Sequence, residues 1–597
     1  MRNLGGLLLL CLCFSRAIQL LPSPAAAQTT DDPRSPPCSA ADRAALLSFK
    51  AGILKDTTGI LSSWAGPDCC GAWEGVECHP TTGRVIRLEL QRRQGGVSGA
   101  GLFMKGVLSP SLGNLGSLEV LVISGMTQIR GAIPGSLSRL TSLTQLYLED
   151  NMLQGTIPLG LGKLPLLRAL SLSGNRLQGQ LPSSLGSIGN LIQINAGRNL
   201  LTGPIPPTFN NLRGLQSFDL SYNLLSGEIP GFVGQFQNMT FLDLSNNQFS
   251  GEIPTSLCSL SNALDISLSH NRLTGKIPIQ IGRLRSLTTL GLSGNLLTGP
   301  IPDSIAGLNK LWYLNLSRNG ITDPLPGSFA KGFPSLLSID LSYNSLHLGT
   351  IPDWVRERAL RDVHLAGCSI RGALPSFNSG ATLTSLDLSD NYLTGDVGHL
   401  LTNLSSLQEI KLWGNMLRSD ISELTLPDGL SSLDLHSNQL YGSLSGFLPR
   451  IGDFLEVLDL SNNIITGPLP QFGEALNLRW LDLSRNGITG EIPTTISKLR
   501  NLERLDISRN QLKGGIPTNM GQMIELRWLD ISSNSLTGNI PDSLLGLKGL
   551  QHASFRANGL CGQIPQGHPF NIFPPSAYAH NRCLCGKPLP PCNPRFF

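Results

Sequence analysis

Apolar residues recur along this chain in one spacing, Leu-x-x-Leu-x-Leu-x-x-Asn-x-Leu-x-Gly-x-Ile-Pro, and the polar positions between them recur with it. The Asn position falls at residues 126, 151, 175, 199, 223, 247, 271, 295, 319, 344, 368, 391, 415, 438, 463, 486, 510, 534 and 558, with Met126 and Cys368 as its two exceptions. The mean interval is 24 residues, and each of the seven intervals from Asn151 to Asn319 is 24. A divergent further unit begins at Val85-Ile86-Arg87-Leu88-Glu89-Leu90. A fixed period of this length marks a stacked architecture, in which no unit buries its own apolar face and neighbours share one continuous core. Leu146-Tyr147-Leu148 alternates inward and outward at the strand period, which predicts a parallel sheet along a concave face with the x residues in solvent. The Asn amide is suited to satisfying backbone groups at the turn between coils, as a ladder down the stack. Glycines such as Gly155 and Gly179 allow tight bends, and the Ile-Pro pair fixes the return segment.

Composition agrees with this reading and narrows it. Leucine supplies 110 of 597 residues, while only 14% are charged, against roughly 25% in ordinary domains. The near balance of 45 Lys+Arg and 41 Asp+Glu excludes the strongly basic surface of a general nucleic-acid binder. Arg2, the apolar run from Leu7 to Phe14 and the small residues Ala25-Ala26-Ala27 read as a secretory signal over residues 1–27. The other reading is an uncleaved anchor, against which the run is short and followed by Arg16. No later stretch approaches eighteen unbroken apolar residues and no hydrophobic tail precedes Phe597, so neither a spanning helix nor a lipid-anchor signal is expected. The ten cysteines after the signal are then expected in an oxidising compartment.

The repeat, with its portion Leu225-Ser226-Gly227-Glu228-Ile229-Pro230, resembles the plant-specific class of extracellular leucine-rich repeats. That class occurs in receptor-like kinases, receptor-like proteins and polygalacturonase-inhibiting proteins. The resemblance implies an α/β solenoid, a right-handed superhelix of about 19–20 repeats of 24 residues, with a second strand near Gly-x-Ile-Pro and disulfide-bonded caps. The expected organisation is a signal over 1–27, an N-terminal cysteine-rich cap over 28–84, the solenoid over 85–558 and a cysteine-containing cap over 559–597. Ser39 and Asp42 resemble a capping box, followed by Leu46, Phe49 and Ile53 on one face of a short helix.

Cys38, Cys69, Cys70 and Cys78 lie around Trp64 and Trp73, and Cys561, Cys583, Cys585 and Cys592 close the other end. Four cysteines at each end leave three pairings open, and zinc ligation competes with disulfides on residues alone. The resemblance implies Cys38 with Cys69, Cys70 with Cys78, Cys561 with Cys583 and Cys585 with Cys592. The C-terminal run from Gly559-Leu560-Cys561-Gly562 to Cys583-Leu584-Cys585-Gly586 resembles the cap of the polygalacturonase-inhibitor and DNA-damage-repair/toleration-like group. Cys258 and Cys368 are left over and read as small buried thiols rather than reactive ones.

The chain holds no P-loop, no G-x-S-x-G, no H-E-x-x-H and no kinase signature, so no catalytic residue, cofactor or metal site is expected. Function on a repeat scaffold belongs to residues that depart from the repeat. Repeats three to eight carry mostly Ser, Gly, Thr and Asp at their concave positions. Later come Trp312, Tyr313, Arg318, Tyr343, Arg361, Asp362, His364, Lys411, Trp413 and His436, then a second cluster of Trp480, Arg485, Arg504, Arg509 and Trp528. Trp, Tyr and Arg combine large contact area with directional donors, as interface hot spots do. Such a stripe suits an extracellular peptide with acidic groups, a cell-wall glycan or a protein, with a membrane receptor kinase as a further partner and no nucleic acid. The alternative is that the tryptophans only cover neighbouring coils while the arginines pair with Asp482, Asp506 and Asp530. Asn238, Asn315 and Asn403 begin glycosylation sequons, Asn315 at a concave position, and the stretch from Ser376 to Gly452 loses most of its Ile-Pro elements. The expected function is recognition in the plant cell-wall space for signalling or defence, through the concave face. Rivals are an inhibitor of a wall polygalacturonase, a receptor-like protein ectodomain lacking its membrane segment, and an enzyme.

Overall fold

The computed structural model describes residues 36–91, 101–377, 382–474 and 476–592, so the signal read at residues 1–27 lies outside the described residues. Its spine is one long sheet. Strand Val76–Cys78 pairs antiparallel with Val85–Gln91, and from there twenty parallel strands run side by side to His552–Ser554. The register is set by the repeat itself: Leu146, Leu170, Ile194, Phe218 and Leu242 are successive partners, all buried. Fully burying each such side chain contributes on the order of 1.5–3 kcal/mol, which no single coil could collect alone.

A second strand follows the ladder position of many coils. Eight of these strands, from Met104–Val107 to Arg272–Thr274, form one lateral sheet with the cap strand Ile53–Asp56 paired antiparallel at its edge. Beyond Thr274 it breaks into separate groups of two, three, two and four strands, so the disruption starts well before the Ser376 boundary suggested by the sequence. On the outer side most coils make one 3-10 turn after the Ile-Pro, such as Gly231–Gln235 after Pro230, whereas short α-helices Asp353–Glu357, Gly398–Asn403 and Leu444–Phe447 replace it in the irregular part. Gly234 explains why glycine is so frequent there. A Cβ on it would lie 2.0 Å from the Ser256 carbonyl oxygen of the next coil, closer than any side chain permits.

The asparagine ladder is a hydrogen-bond network. Asn223 Nδ2 donates to the carbonyls of Leu220 at 3.0 Å and Ser221 at 3.1 Å in its own coil and to Ala196 at 3.0 Å in the coil before, while its Oδ1 accepts from Leu201 N at 2.9 Å. At Cys368 the thiol only approaches Leu341 and Ala366 carbonyls at 3.6 Å, and Asn391 Oδ1 takes both Cys368 N and Ile370 N. Cys258 and Cys368 are free and buried, and burial pushes the Cys368 thiol up to about 12.

Both ends are closed by lids. Helix Ala40–Ala51 buries Ala45, Leu46 and Phe49. Ser39 is its N-cap residue but makes no side-chain cap bond, and Ile53 lies beyond the helix in the strand Ile53–Asp56. Asp42 is instead fully buried and accepts from Arg84 Nε at 2.8 Å and Val85 N at 2.9 Å, pinning the lid to the first concave strand. Disulfides join Cys38 to Cys69, Cys70 to Cys78, Cys561 to Cys583 and Cys585 to Cys592. At the C-terminal end Asn581 repeats the ladder, donating to Phe555 and Tyr578 carbonyls, with Tyr578 buried where other coils place leucine.

Candidate functional site

Most concave strands present their first and third residues around a buried middle one, as Val457 and Asp459 flank Leu458, whereas in the next coil Trp480 is exposed and Asp482 is buried beside Leu481. Because adjacent strands lie about 4.8 Å apart, equivalent residues stack into columns. In the early coils the first column reads Gln145, Ala169, Gln193, Ser217, Phe241, Asp265 and Thr289. From Tyr313 onward the columns carry rings and charges that contact one another.

The densest group is in register across four coils, Trp480, Arg504, Trp528 and His552. The Arg504 guanidinium lies between two indoles, 4.5 Å from the Trp480 ring and 4.4 Å from Trp528, and Trp528 stacks on His552 at 3.6 Å. Arg504 also reaches Asp482 at 3.7 Å and Asp506 at 3.8 Å. The pairing considered from the sequence for Asp482 and Asp506 is thus present at Arg504, while Arg485 and Arg509 stand apart, exposed and without an ion-pair partner among the described residues. They occupy the position before the ladder Asn, with φ of 54° at both, and form a separate rim column. Asp150 and Ser437 share that left-handed backbone, so it belongs to the repeat and not to any site.

Two smaller stacks lie on the same rim. Arg318 sits 4.7 Å over Tyr343, and Tyr343 in turn lies across Gly367, whose missing Cβ would meet the ring at 2.8 Å. Trp413 stacks on His436 at 5.0 Å. His436 Nδ1 is 2.6 Å from Asp434; burial works against its protonation, but that hydrogen bond and the charges of Asp434, Asp459 and Asp482 raise its pKa. Trp312, just before its strand, packs against Tyr313 at 5.8 Å, Lys411 pairs with Glu409, and His364 Nε2 meets Ser385 Oγ at 3.0 Å, while Arg361, also just before its strand, is exposed. Asp434, His436 and Asp459 bring possible ligand atoms within 4.8 Å of one another, but the imidazole is already committed to Asp434 and Trp413.

Two features were missed by sequence reasoning. His552 ends the aromatic column from a coil in which Ala553 replaces the usual leucine. The third column holds an aspartate in five consecutive coils, Asp434, Asp459, Asp482, Asp506 and Asp530. Each looks like repeat consensus alone; stacked, they form a carboxylate ladder. Burial and the neighbouring charges of Asp459 and Asp506 push Asp482 up to about 6, and burial raises Asp459 and Asp506 as well. The face is therefore acidic beside its aromatic column, which does not suit the acidic peptide groups expected from the sequence.

Of the sequons, Asn238 and Asn403 are exposed, whereas Asn315 is half-buried with its Oδ1 accepting from Ser317 N and Oγ and its Nδ2 donating to the Tyr313 hydroxyl. A hollow of about 320 Å³ lies beside the aromatic column, lined by Glu456, Asn477, Arg479, Asn501, Glu503 and Glu525, and it is open to solvent. This is extended surface suited to a strand-like or protein ligand. No helix among the described residues is long and apolar enough to cross a membrane.

Residues 39–79 match the leucine rich repeat N-terminal domain, and residues 261–321, 454–512 and 476–536 match the leucine rich repeat family, with further repeat matches at 142–164 and 382–404 among others. Among solved structures, the ectodomain of the membrane receptor kinase GASSHO1/SCHENGEN3 from Arabidopsis thaliana, in complex with CASPARIAN STRIP INTEGRITY FACTOR 2, superposes with a TM-score of 0.72 at 34% identity, over 88% of this chain and 62% of that one. The ectodomain of the Arabidopsis receptor kinase HAESA, in complex with an IDA peptide hormone ligand, gives a TM-score of 0.59 at 30% identity, over 92% of this chain and 99% of that one. The DNA damage-repair/toleration protein DRT100 of Arabidopsis thaliana is 34% identical over 124 residues, 19% of this chain and 32% of the relative. The chain thus spans about a third of that curated relative.

Proposed function

The chain belongs to the plant leucine-rich-repeat family, and from that premise we propose that it is an extracellular recognition protein whose concave second half holds a peptide ligand for signalling or defence. The observation that carries this reading is the concentration of cross-coil stacks at Arg318–Tyr343, Trp413–His436 and Trp480–Arg504–Trp528–His552 on one open face. The HAESA ectodomain, similar along most of this chain, was solved with a peptide hormone ligand, and that of GASSHO1/SCHENGEN3 with CASPARIAN STRIP INTEGRITY FACTOR 2. The binding set is Trp312, Tyr313, Arg318, Tyr343, Arg361, His364, Lys411, Trp413, His436, Trp480, Arg485, Arg504, Arg509 and Trp528, and a membrane receptor kinase is the partner that passes the signal on.

The test is capture from apoplastic fluid and membrane extract with the secreted chain, alongside the variant Trp480→Ala/Arg504→Ala/Trp528→Ala. Recovery of a peptide or a receptor kinase by the parent chain and not by the variant, with the melting temperature within a few degrees, is the expected result. Equal recovery by both contradicts the assignment of the site, and recovery of a polygalacturonase alone replaces the receptor reading with an inhibitor one.

A further inference from the structure

The stack at Arg504 shows which chemical group this surface accepts. One guanidinium lies between two indoles while its Nη2 meets two carboxylates of the neighbouring column, Asp482 at 3.7 Å and Asp506 at 3.8 Å. The same elements are present one coil earlier without the cation. Trp480 carries Arg504 on one face, and its register neighbour on the other side is Val457, a short aliphatic side chain, followed by Ser432. Trp480 is 38% exposed. Beside that step stand Asp459 and Asp482. The Asp459 carboxylate accepts only from Ser461, through its N at 3.0 Å and its Oγ at 2.7 Å, and no Lys or Arg pairs with it among the described residues.

The charge count runs the same way. Five aspartates follow one another in this column; Arg504 and His436 pair with them, Lys411 is the register neighbour of Asp434 at one end, and His552 lies near Asp530 and Asp506 at the other. We propose that the Trp480 rung accepts an arginine side chain of the bound peptide, its guanidinium lying on the open side of the indole and pairing with Asp459 and Asp482. This deepens the recognition reading above and rests on it. A ligand guanidinium there would extend the alternation already built into the fold, indole, guanidinium, indole, by one step, and would offset the repulsion from Asp459 and Asp506 that adds to burial in raising Asp482.

The probe is the peptide acetyl-Gly-Arg-Gly-Gly-amide and its citrulline counterpart, which keeps the shape and loses the charge. Each is titrated into the full chain labelled with 5-fluorotryptophan, with the Trp480 fluorine resonance assigned through Trp480→Phe. The arginine peptide is expected to shift the Trp480 resonance saturably. The citrulline peptide should bind at least 10-fold more weakly, and Asp459→Asn/Asp482→Asn should weaken the arginine peptide by at least 10-fold while the Trp64 and Trp73 resonances stay in place. Equal binding of the two peptides, or an unchanged affinity in the double variant, overturns the proposal. A natural ligand lost on Trp480→Ala/Arg504→Ala/Trp528→Ala but unaffected by Asp459→Asn/Asp482→Asn overturns it while leaving the recognition reading standing.

Discussion

The two halves of the concave sheet are built by one repeat and put to different uses. From Gln145 to Gly291 the coils keep a 24-residue spacing, lie beside an unbroken lateral sheet up to Thr274 and present mostly small or polar side chains, with Tyr147, Phe241 and the pair Asp219–Asp243 as departures. From Tyr313 to His552 the spacing varies, the lateral sheet is in pieces, and the concave columns carry stacked rings and arginines beside five successive aspartates, of which Asp482 and Asp506 are buried. The difference teaches that regularity and recognition compete for the same positions. A coil whose x residues are Ser or Gly stacks on its neighbours without constraint, whereas one carrying Trp or Arg must find room across the next coil, as Tyr343 does over Gly367.

The comparison can be broken most forcefully at the ladder. Asn247→Leu in the regular half strips three carbonyls and one amide of their partners in a buried setting and is expected to cost about 3–5 kcal/mol. The equivalent Asn344→Leu, where the amide is only partly buried and one bond is 3.5 Å long, should cost about half as much. Denaturant melts with hydrogen exchange to place the opening check both, and equal losses would remove the contrast. Gly234→Ala comes next, at about 2–3 kcal/mol, because the new methyl meets the Ser256 carbonyl, while Gly429→Ala in the second half has open space around it and should stay within about 0.5 kcal/mol.

A smaller effect follows from the carboxylate ladder. Asp482 has its pKa raised in the folded protein to about 6, so the folded state holds a proton that the unfolded chain releases, and its contribution to stability falls as pH rises from about 4 to 7. Asp482→Asn should therefore stabilise the protein by about 1–2 kcal/mol at pH 7, and the gain should fade toward pH 4 where both forms are neutral. Thermal melts of both proteins across that range measure it; a gain independent of pH would mean that the cost of ionising Asp482, set by burial and by Asp459 and Asp506, is not the cause. The smallest effect is expected at Arg318→Lys, which keeps the charge and loses the guanidinium contact with the Tyr343 ring, at under about 0.5 kcal/mol in the same melts.

Most of the scaffold was legible in the sequence because a fixed period of Leu and Asn positions admits one stacked solution. What escaped has a common physical reason: it arises between coils. Gly234 looks like any turn glycine until the Ser256 carbonyl is brought beside it. Asp459 and Asp482 each read as repeat consensus, and only the register makes them neighbours. Asn581 lies in a coil whose leucine is replaced by Tyr578, so the pattern was not followed there, and His552, though its coil was aligned through Asn558, stands beside Ala553 and shows its role only when the register brings it against Trp528. Trp480, Arg504 and Trp528 were visible as departures, but their contact, and the separation of Arg485 and Arg509 into a rim column, came from the fold.

The central claim is that the first half supports and the second half recognises. Its most direct test is partner affinity, by calorimetry with the captured ligand, for two triple variants at matched strand positions: Gln193→Ala/Ser217→Ala/Phe241→Ala and Trp480→Ala/Arg504→Ala/Trp528→Ala. Affinity within about threefold of the parent for the first and at least 100-fold lost for the second is the predicted result. Loss in the first with retention in the second would contradict the account.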